Sequence, residues 1–178
     1  TGLDERPTPE GFLGFGAELN TSGNVAMYHI AGITPEAPTT AAAFGGREPL
    51  AKVTITEADL QRVRDEVCRQ PGKIDFAMFG CPHLTIRQVG EIAEVADGRH
   101  FAVGTWILVS SLTRELAERM GYLSIIQRAG GHVVAGTCID VPPCWGPIYG
   151  KTGVTDSPKC AYYHELNRTV FRIRPLKQ

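Results

Sequence analysis

FGCPHLTIRQ, residues 79–88, places a thiol and an imidazole, Cys81 and His83, two residues apart between an apolar run and the start of a helical pattern. A second thiol, Cys138, stands in GTCID (136–140), again directly after an apolar run. TGVTDSPK (152–159) adds the hydroxyls of Thr155 and Ser157 and the ammonium of Lys159. Thiolates and imidazole suit iron or zinc. A thiol beside an imidazole is also the raw material of a nucleophile. A helix start carrying free backbone N–H groups and a lysine suits a carboxylate or phosphate. The glycine spacing of a P-loop or a dinucleotide fingerprint is missing, so neither ATP nor NAD is expected.

Each of these residues also has a plainer role. A free cysteine is often a small buried apolar side chain, and for Cys81 and Cys138 that role weighs about evenly with a chemical one on burial preference alone. Position favours chemistry for Cys81, because a thiol close to a helix N-terminus has a lowered pKa. Ser157 is expected to cap a helix whatever else it does. Cys160 falls inside that helix and is expected to pack, Cys68 has no assigned role, and Cys144 sits in a Pro-rich loop next to Trp145. His100 and His132 precede strands and are expected to be structural, while His164 and the tyrosines 162 and 163 lie on the last helix.

The elements that must position these groups follow from periodicity. NVAMYHIAGI (24–33) has the composition of a buried strand, and TPEAPTTAAAFGG (34–46) that of a loop. Thr56 caps a helix from Glu57 to about Gln70, with Leu60, Val63 and Val67 on one face. KIDFAMF (73–79) is a strand, and Thr85 with Gln88 has capping-box spacing for the next helix. FAVGTWILV (101–109) is a strand with a possible bulge site at Gly104, followed by a helix capped by Ser111 or Thr113 and a short segment over 122–129. HVVAG (132–136), Val154-Thr155 and VFRIRP (170–175) complete the strands, and Ser157-Pro158 opens the last helix.

Alternation of this kind predicts an α/β domain: a mostly parallel sheet of about five strands with helices on both faces, a Rossmann-like layered arrangement. Residues 1–23, rich in Gly and Thr, are expected to be irregular, and 24–178 to form a single domain. In such sheets, sites form beyond the carboxyl ends of the strands. That edge collects Gly80, Cys81, Pro82 and His83; Ser110 and Ser111; Thr137, Cys138 and Asp140; Thr155, Asp156, Ser157 and Lys159; and, after the 24–33 strand, Gly32, Thr34 and Glu36.

Bulk properties narrow the classes. The 178 residues carry a net charge of −1, with 43% hydrophobic and 21% charged residues. No basic cluster supports nucleic-acid binding, no apolar run approaches a membrane span, and the polar opening TGLDERPTPE is no signal peptide. Five scattered cysteines without a CxxC pair point to a reducing, cytoplasmic compartment. From the residues alone, three classes stay open. One is an iron-dependent enzyme. One is a non-catalytic module with incidental cysteines. The third is a thiol hydrolase using Cys81 and His83, which lacks an orienting acid.

SGNVAMYHIAGITPEA (22–37), FGCPHLTIRQV (79–89), ELAERMGY (115–122), AGGHVVAGTC (129–138) and VTDSPKCAYY (154–163), in this order and spacing, resemble the catalytic part of the aconitase X family. The resemblance implies an iron-dependent hydro-lyase that dehydrates a small hydroxy acid, cis-3-hydroxy-L-proline or a phosphorylated mevalonate. It implies iron, as a single ion or an iron–sulfur cluster, held by Cys81 and Cys138. It places His83 and Ser157 as catalytic candidates, and Thr155, Ser157 and Lys159 on the substrate side. The chain departs from the family pattern at Gly136, Asp156, Cys160 and the Tyr162-Tyr163 pair. The family's catalytic unit is about twice as long and works with a small swivelling domain or subunit. The resemblance therefore implies a piece of a longer enzyme that lacks an upstream domain and that partner, is inactive alone, and lacks the full cofactor site.

Overall fold

The computed structural model describes residues 3, 6–67, 72–141, 146, 148–165 and 170–173. Cys68 and Cys144 lie outside the described residues. The chain divides into two compact units, Thr1–Val63 and Arg64–Gln178.

In the first unit, residues expected to be irregular form helix α1, Pro9–Gly23. Its start is well specified: the Thr8 hydroxyl accepts the Gly11 N–H at 3.1 Å and Pro9 occupies the first turn. Its end is equally specified by Asn24 in the left-handed region, φ 52°. These caps outweigh the helix cost of the internal glycines. The expected strand over 24–33 does not form. Val25 and Met27 are exposed, and Thr34 closes a turn by accepting the Ile30 N–H and donating to the Ile30 carbonyl. An apolar run makes a strand only when a neighbour takes its backbone groups, and here turn chemistry takes them instead. Tyr28 packs edge-on to Phe15 and donates its hydroxyl to the Phe12 carbonyl at 2.9 Å. A single turn, α2 (Thr40–Ala43), and α3 (Glu57–Val67) follow.

The second unit carries the sheet. Its strands are β1 (Phe76–Leu84), β2 (Gly104–Val109), β3 (Gly131–Ala135), β4 (Thr152–Thr155) and β5 (Val170–Ile173). They pair in parallel in the order β3-β2-β1-β4-β5. Helices α4 (Ile86–Ala96), α5 (Ser111–Arg119) and α6 (Tyr122–Arg128) supply Val89, Ile92, Ala93, Ala117, Leu123 and Ile126 to a core with Ile107 and Val109. On the other face, Phe76, Met78 and Leu108 pack with Ile139, Ile148 and Cys160 of helix α7 (Pro158–Glu165). Successive β2 residues thus enter opposite cores, as a strand buried on both sides requires. Burying one such Ile or Val side chain contributes about 1.5–3 kcal/mol.

The boundaries match the sequence pattern with shifts of a few residues. The Thr85–Gln88 capping box is present on α4, with both hydrogen bonds formed. The α5 cap is Ser110, one residue before the expected Ser111. The irregularity expected at Gly104 lies instead in β1. Phe79 pairs with Ile107 and Leu84 with Val109, so residues 80–83 lie opposite Leu108 alone. The strand that the sequence ends at Phe79 therefore resumes at Leu84 after a wide bulge.

Candidate active site at the sheet switch point

The strand order reverses between β1 and its neighbours β2 and β4. Chains leaving β1 and β4 part at that point and open a crevice beyond the strand ends. A cleft of about 420 Å³ lies there, lined by Gly80, Cys81, Pro82, His83, Cys138, Ile139, Asp140, Lys159 and Tyr163. Residues far apart in sequence, and expected on one edge, share one wall system.

The β1 bulge carries the first group. Gly80 has φ +104°, and a Cβ there would stand 2.2 Å from the Leu108 carbonyl oxygen. Only glycine lets the backbone turn this tightly against β2. Cys81 follows, half-buried, with a cis peptide bond to Pro82. Burial pushes the Cys81 thiol up to about 11. The Lys159 ammonium and a hydrogen bond from Ser157 pull it down without offsetting burial, while Cys138 and Asp140 push it further up. The thiol is therefore protonated at neutral pH, against the lowered pKa expected from its place before a helix. Desolvation dominates there.

His83 reaches across to the second group. Its Nε2 lies 2.6 Å from the Thr137 carbonyl oxygen, which fixes that nitrogen as the N–H donor. His83 thereby ties the Cys81 turn to the loop that carries Cys138. Cys138 is exposed, and its sulfur accepts the Asp140 backbone N–H at 3.4 Å.

Ser157 and Thr155 turn out to be the frame beneath the cleft, and neither is among its lining residues. The Ser157 hydroxyl donates to the Cys81 carbonyl and accepts the Cys160 N–H at 3.1 Å, capping α7. Thr155 is fully buried and accepts the Ser157 N–H at 3.2 Å. Both hydroxyls are spent inside the protein. Lys159, by contrast, lines the cleft with its ammonium 5.8 Å from the centre of the Tyr163 ring. Asp140, already on the expected edge, also lines the cleft, whereas Tyr163 is a cleft residue that sequence reasoning did not select. For Tyr163 a signal existed, since it stands one helical turn after Lys159 and shares its face. Cys160 is buried among apolar side chains, the packing role expected of it, and burial holds its thiol well above the usual range.

The donors suit part of an iron centre. Two thiols line one cleft, and thiolates are the ligands iron–sulfur clusters take. Among the described residues no group of three His, Cys, Asp or Glu side chains is gathered closely enough to hold an ion. No helix among the described residues is long and apolar enough to cross a membrane.

Family models agree with this arrangement. The model for the aconitase X third domain matches residues 74–178, and that for the aconitase X second domain matches residues 1–65. The chain belongs to the aconitase X family. It is 34% identical over 169 residues to the cis-3-hydroxy-L-proline dehydratase of Pseudomonas aeruginosa, covering 91% of this chain and 29% of that protein. It is 32% identical over 157 residues to the phosphomevalonate dehydratase large subunit of Methanothermobacter thermautotrophicus, covering 88% and 38%. The crystal structure of Thermococcus kodakaraensis aconitase X in its holo-form superposes with a TM-score of 0.85 at 28% identity, over 99% of this chain and 44% of that one. The chain therefore spans less than half the length of the relatives it matches, all of which named here as enzymes are dehydratases. The two models meet between residues 65 and 74, close to the boundary of the compact units and far from the expected one at residue 23.

Proposed function

We propose that this chain is the part of an aconitase X hydro-lyase that holds two metal ligands and one end of the substrate, and that it works only with the rest of a longer polypeptide and a small swivelling partner. The observation that carries this is the meeting of Cys81, His83, Cys138 and Lys159 around one cleft at the switch point. The ratio of lengths supports the missing part, and so does the name "large subunit" borne by the archaeal relatives. The substrate is a small hydroxy acid, with cis-3-hydroxy-L-proline as the first choice and a phosphorylated mevalonate as the second. The first choice draws support from the bacterial relative.

Cys81 and Cys138 would hold iron, as a single ion or as part of a cluster. When bound, iron supplies Lewis acidity to the departing hydroxyl. Lys159 binds the substrate carboxylate, a role suited to a cleft-lining ammonium with no carboxylate partner among the described residues. The dehydration itself removes a proton from the carbon bearing the carboxylate and hydroxide from its neighbour, forming a carbon–carbon double bond and water. His83 has one ring nitrogen committed to Thr137, so Nδ1 is the atom by which it can take part. Ser157 acts through position, by holding the Cys81 carbonyl. Because Cys81 keeps its proton at neutral pH without metal, ligation must release it, and iron uptake should weaken as pH falls.

The test is iron content and visible absorption of the longer polypeptide, purified anaerobically with its small partner. Cys81→Ala and Cys138→Ala should each remove most of the bound iron. Full iron retention in both variants overturns the ligand assignment.

A further inference from the structure

We infer that residues 50–56 form a β-strand in the whole protein, by pairing with a strand of the polypeptide upstream of this chain. The inference rests on the reading that this chain works as part of a longer polypeptide, and it is independent of the metal and substrate assignments.

The segment reads LAKVTIT. Ala51, Val53 and Ile55 alternate with Lys52, Thr54 and Thr56, the period of two that gives a strand one apolar and one polar face. Its β-branched residues favour extended backbone. Yet the segment belongs to no helix or strand. Val53 is 86% exposed and Ile55 71%, and Leu50 is fully exposed. Among the described residues, no backbone group of residues 50–55 takes part in a hydrogen bond. The far end, by contrast, is fixed. The Thr56 N–H donates to the Asp59 carboxylate at 2.9 Å, and the Thr56 hydroxyl accepts the Asp59 N–H at 3.3 Å where α3 begins. A segment of strand composition, held at one end and engaged along none of its length, lacks the neighbour that would take its backbone groups.

The unit around it lacks a core as well. Among the described residues of the first unit, Ala37 alone is buried. Leu60 and Val63, one turn apart on α3 and so on one face, are exposed. A strand followed by a helix, each with an uncovered apolar face, is half of a layered arrangement whose other layer must come from elsewhere. Domain order and length say from where. The chain matches the second and third domains of its family, and covers less than half of the solved relative. A first domain therefore lies outside it. A strand from that side would supply main-chain hydrogen bonds along 50–56, and would bring pockets for the alternate side chains Ala51, Val53 and Ile55.

Hydrogen exchange tests this at the amides of residues 51–55. It is followed in the longer polypeptide, without and with its small partner, and in the 178-residue chain. In the longer polypeptide alone these amides should exchange about a hundredfold more slowly than in the 178-residue chain. Protection of β1 and β2 establishes that each sample is folded. Val53→Pro and Thr54→Pro remove N–H groups that point to opposite edges of a strand, so at least one should speed exchange of the remaining amides about tenfold. Ile55→Asp should do the same, and Lys52→Glu, on the polar face, should not. Unprotected amides in the folded longer polypeptide overturn the proposal. So does protection that appears only with the small partner, or only as the 178-residue chain is concentrated, because the occupant is then the partner or a second copy. Equal protection in the dilute 178-residue chain also overturns it, because the strand then pairs within this chain. Iron content of the same samples is a separate readout. A protected segment in a protein whose cysteine variants keep their iron ends the metal reading and leaves this one standing.

Discussion

The two cysteine-bearing turns face one cleft but are built in opposite ways. Cys81 sits in a strand bulge, half-buried, with its carbonyl held by Ser157 and the preceding glycine wedged against β2. Cys138 stands exposed beyond the end of β3, and its sulfur accepts a backbone N–H from Asp140. Both turns depend on a glycine with positive φ, but the reasons differ. At Gly80 the space is already filled by Leu108 backbone, whereas at Gly136 a Cβ would meet only the Ser111 hydroxyl at 3.5 Å. One thiol is therefore fixed by the sheet itself, and the other rides on an arm that the sheet merely launches. His83 is the link between them. If the two thiols serve the proposed metal centre, it would have one fixed and one adjustable ligand.

Substituting the two glycines breaks this comparison most severely. Gly80→Ala forces a Cβ into a backbone carbonyl at a disallowed φ, and should cost about 3 kcal/mol or more. Gly136→Ala meets only the left-handed strain, about 1–2 kcal/mol. Urea denaturation of the two variants measures the gap, and equal losses would mean that the bulge yields as easily as the loop. Next in size is Ser157→Ala. It removes the α7 cap and the donor to the Cys81 carbonyl together, about 1–2 kcal/mol of stability. Ser157→Thr retains the hydroxyl and should recover part of that loss.

Much of this design was legible in the residues, and the exceptions have physical causes. Strand-end logic brought Cys81, His83, Cys138 and Lys159 to one edge because parallel strands fix where their following loops emerge. The same logic could not separate Lys159 from Thr155 and Ser157. Whether a hydroxyl faces a cleft or is consumed by a cap depends on partners such as the Cys81 carbonyl, 76 positions away. The bulge was hidden because Phe79-Gly80-Cys81-Pro82 has the composition of a strand ending in a turn, and only the pairing of Leu84 with Val109 reveals its resumption. The 24–33 segment misled for the opposite reason, since its apolar residues match a strand but no strand forms among the described residues of the first unit. Helix α1 was obscured by its glycines, although Thr8, Pro9 and Asn24 carried its caps in plain sequence.

The gentlest test of the comparison reads the two thiols by their chemistry. Thiolate, not thiol, is the form that alkylates. With a pKa of about 11, Cys81 is ionised to roughly one part in a thousand at pH 8, so iodoacetamide should modify exposed Cys138 first. Site-resolved mass spectrometry should show Cys81 labelling rise steeply only as pH approaches 11. The sign for stability follows from the same shift. The folded chain holds the Cys81 proton more tightly than the unfolded chain does, from 9.0 to about 11, so this contribution is intact below pH 9 and is lost as pH rises through 11. Relative to Cys81→Ala, the wild-type chain should lose stability over that window. Lys159→Ala should move the Cys81 labelling profile to still higher pH, because the ammonium is the largest influence that favours the thiolate. If Cys81 labels as readily as Cys138 at pH 8, the bulge opens in solution and the contrast between a fixed and an adjustable thiol collapses.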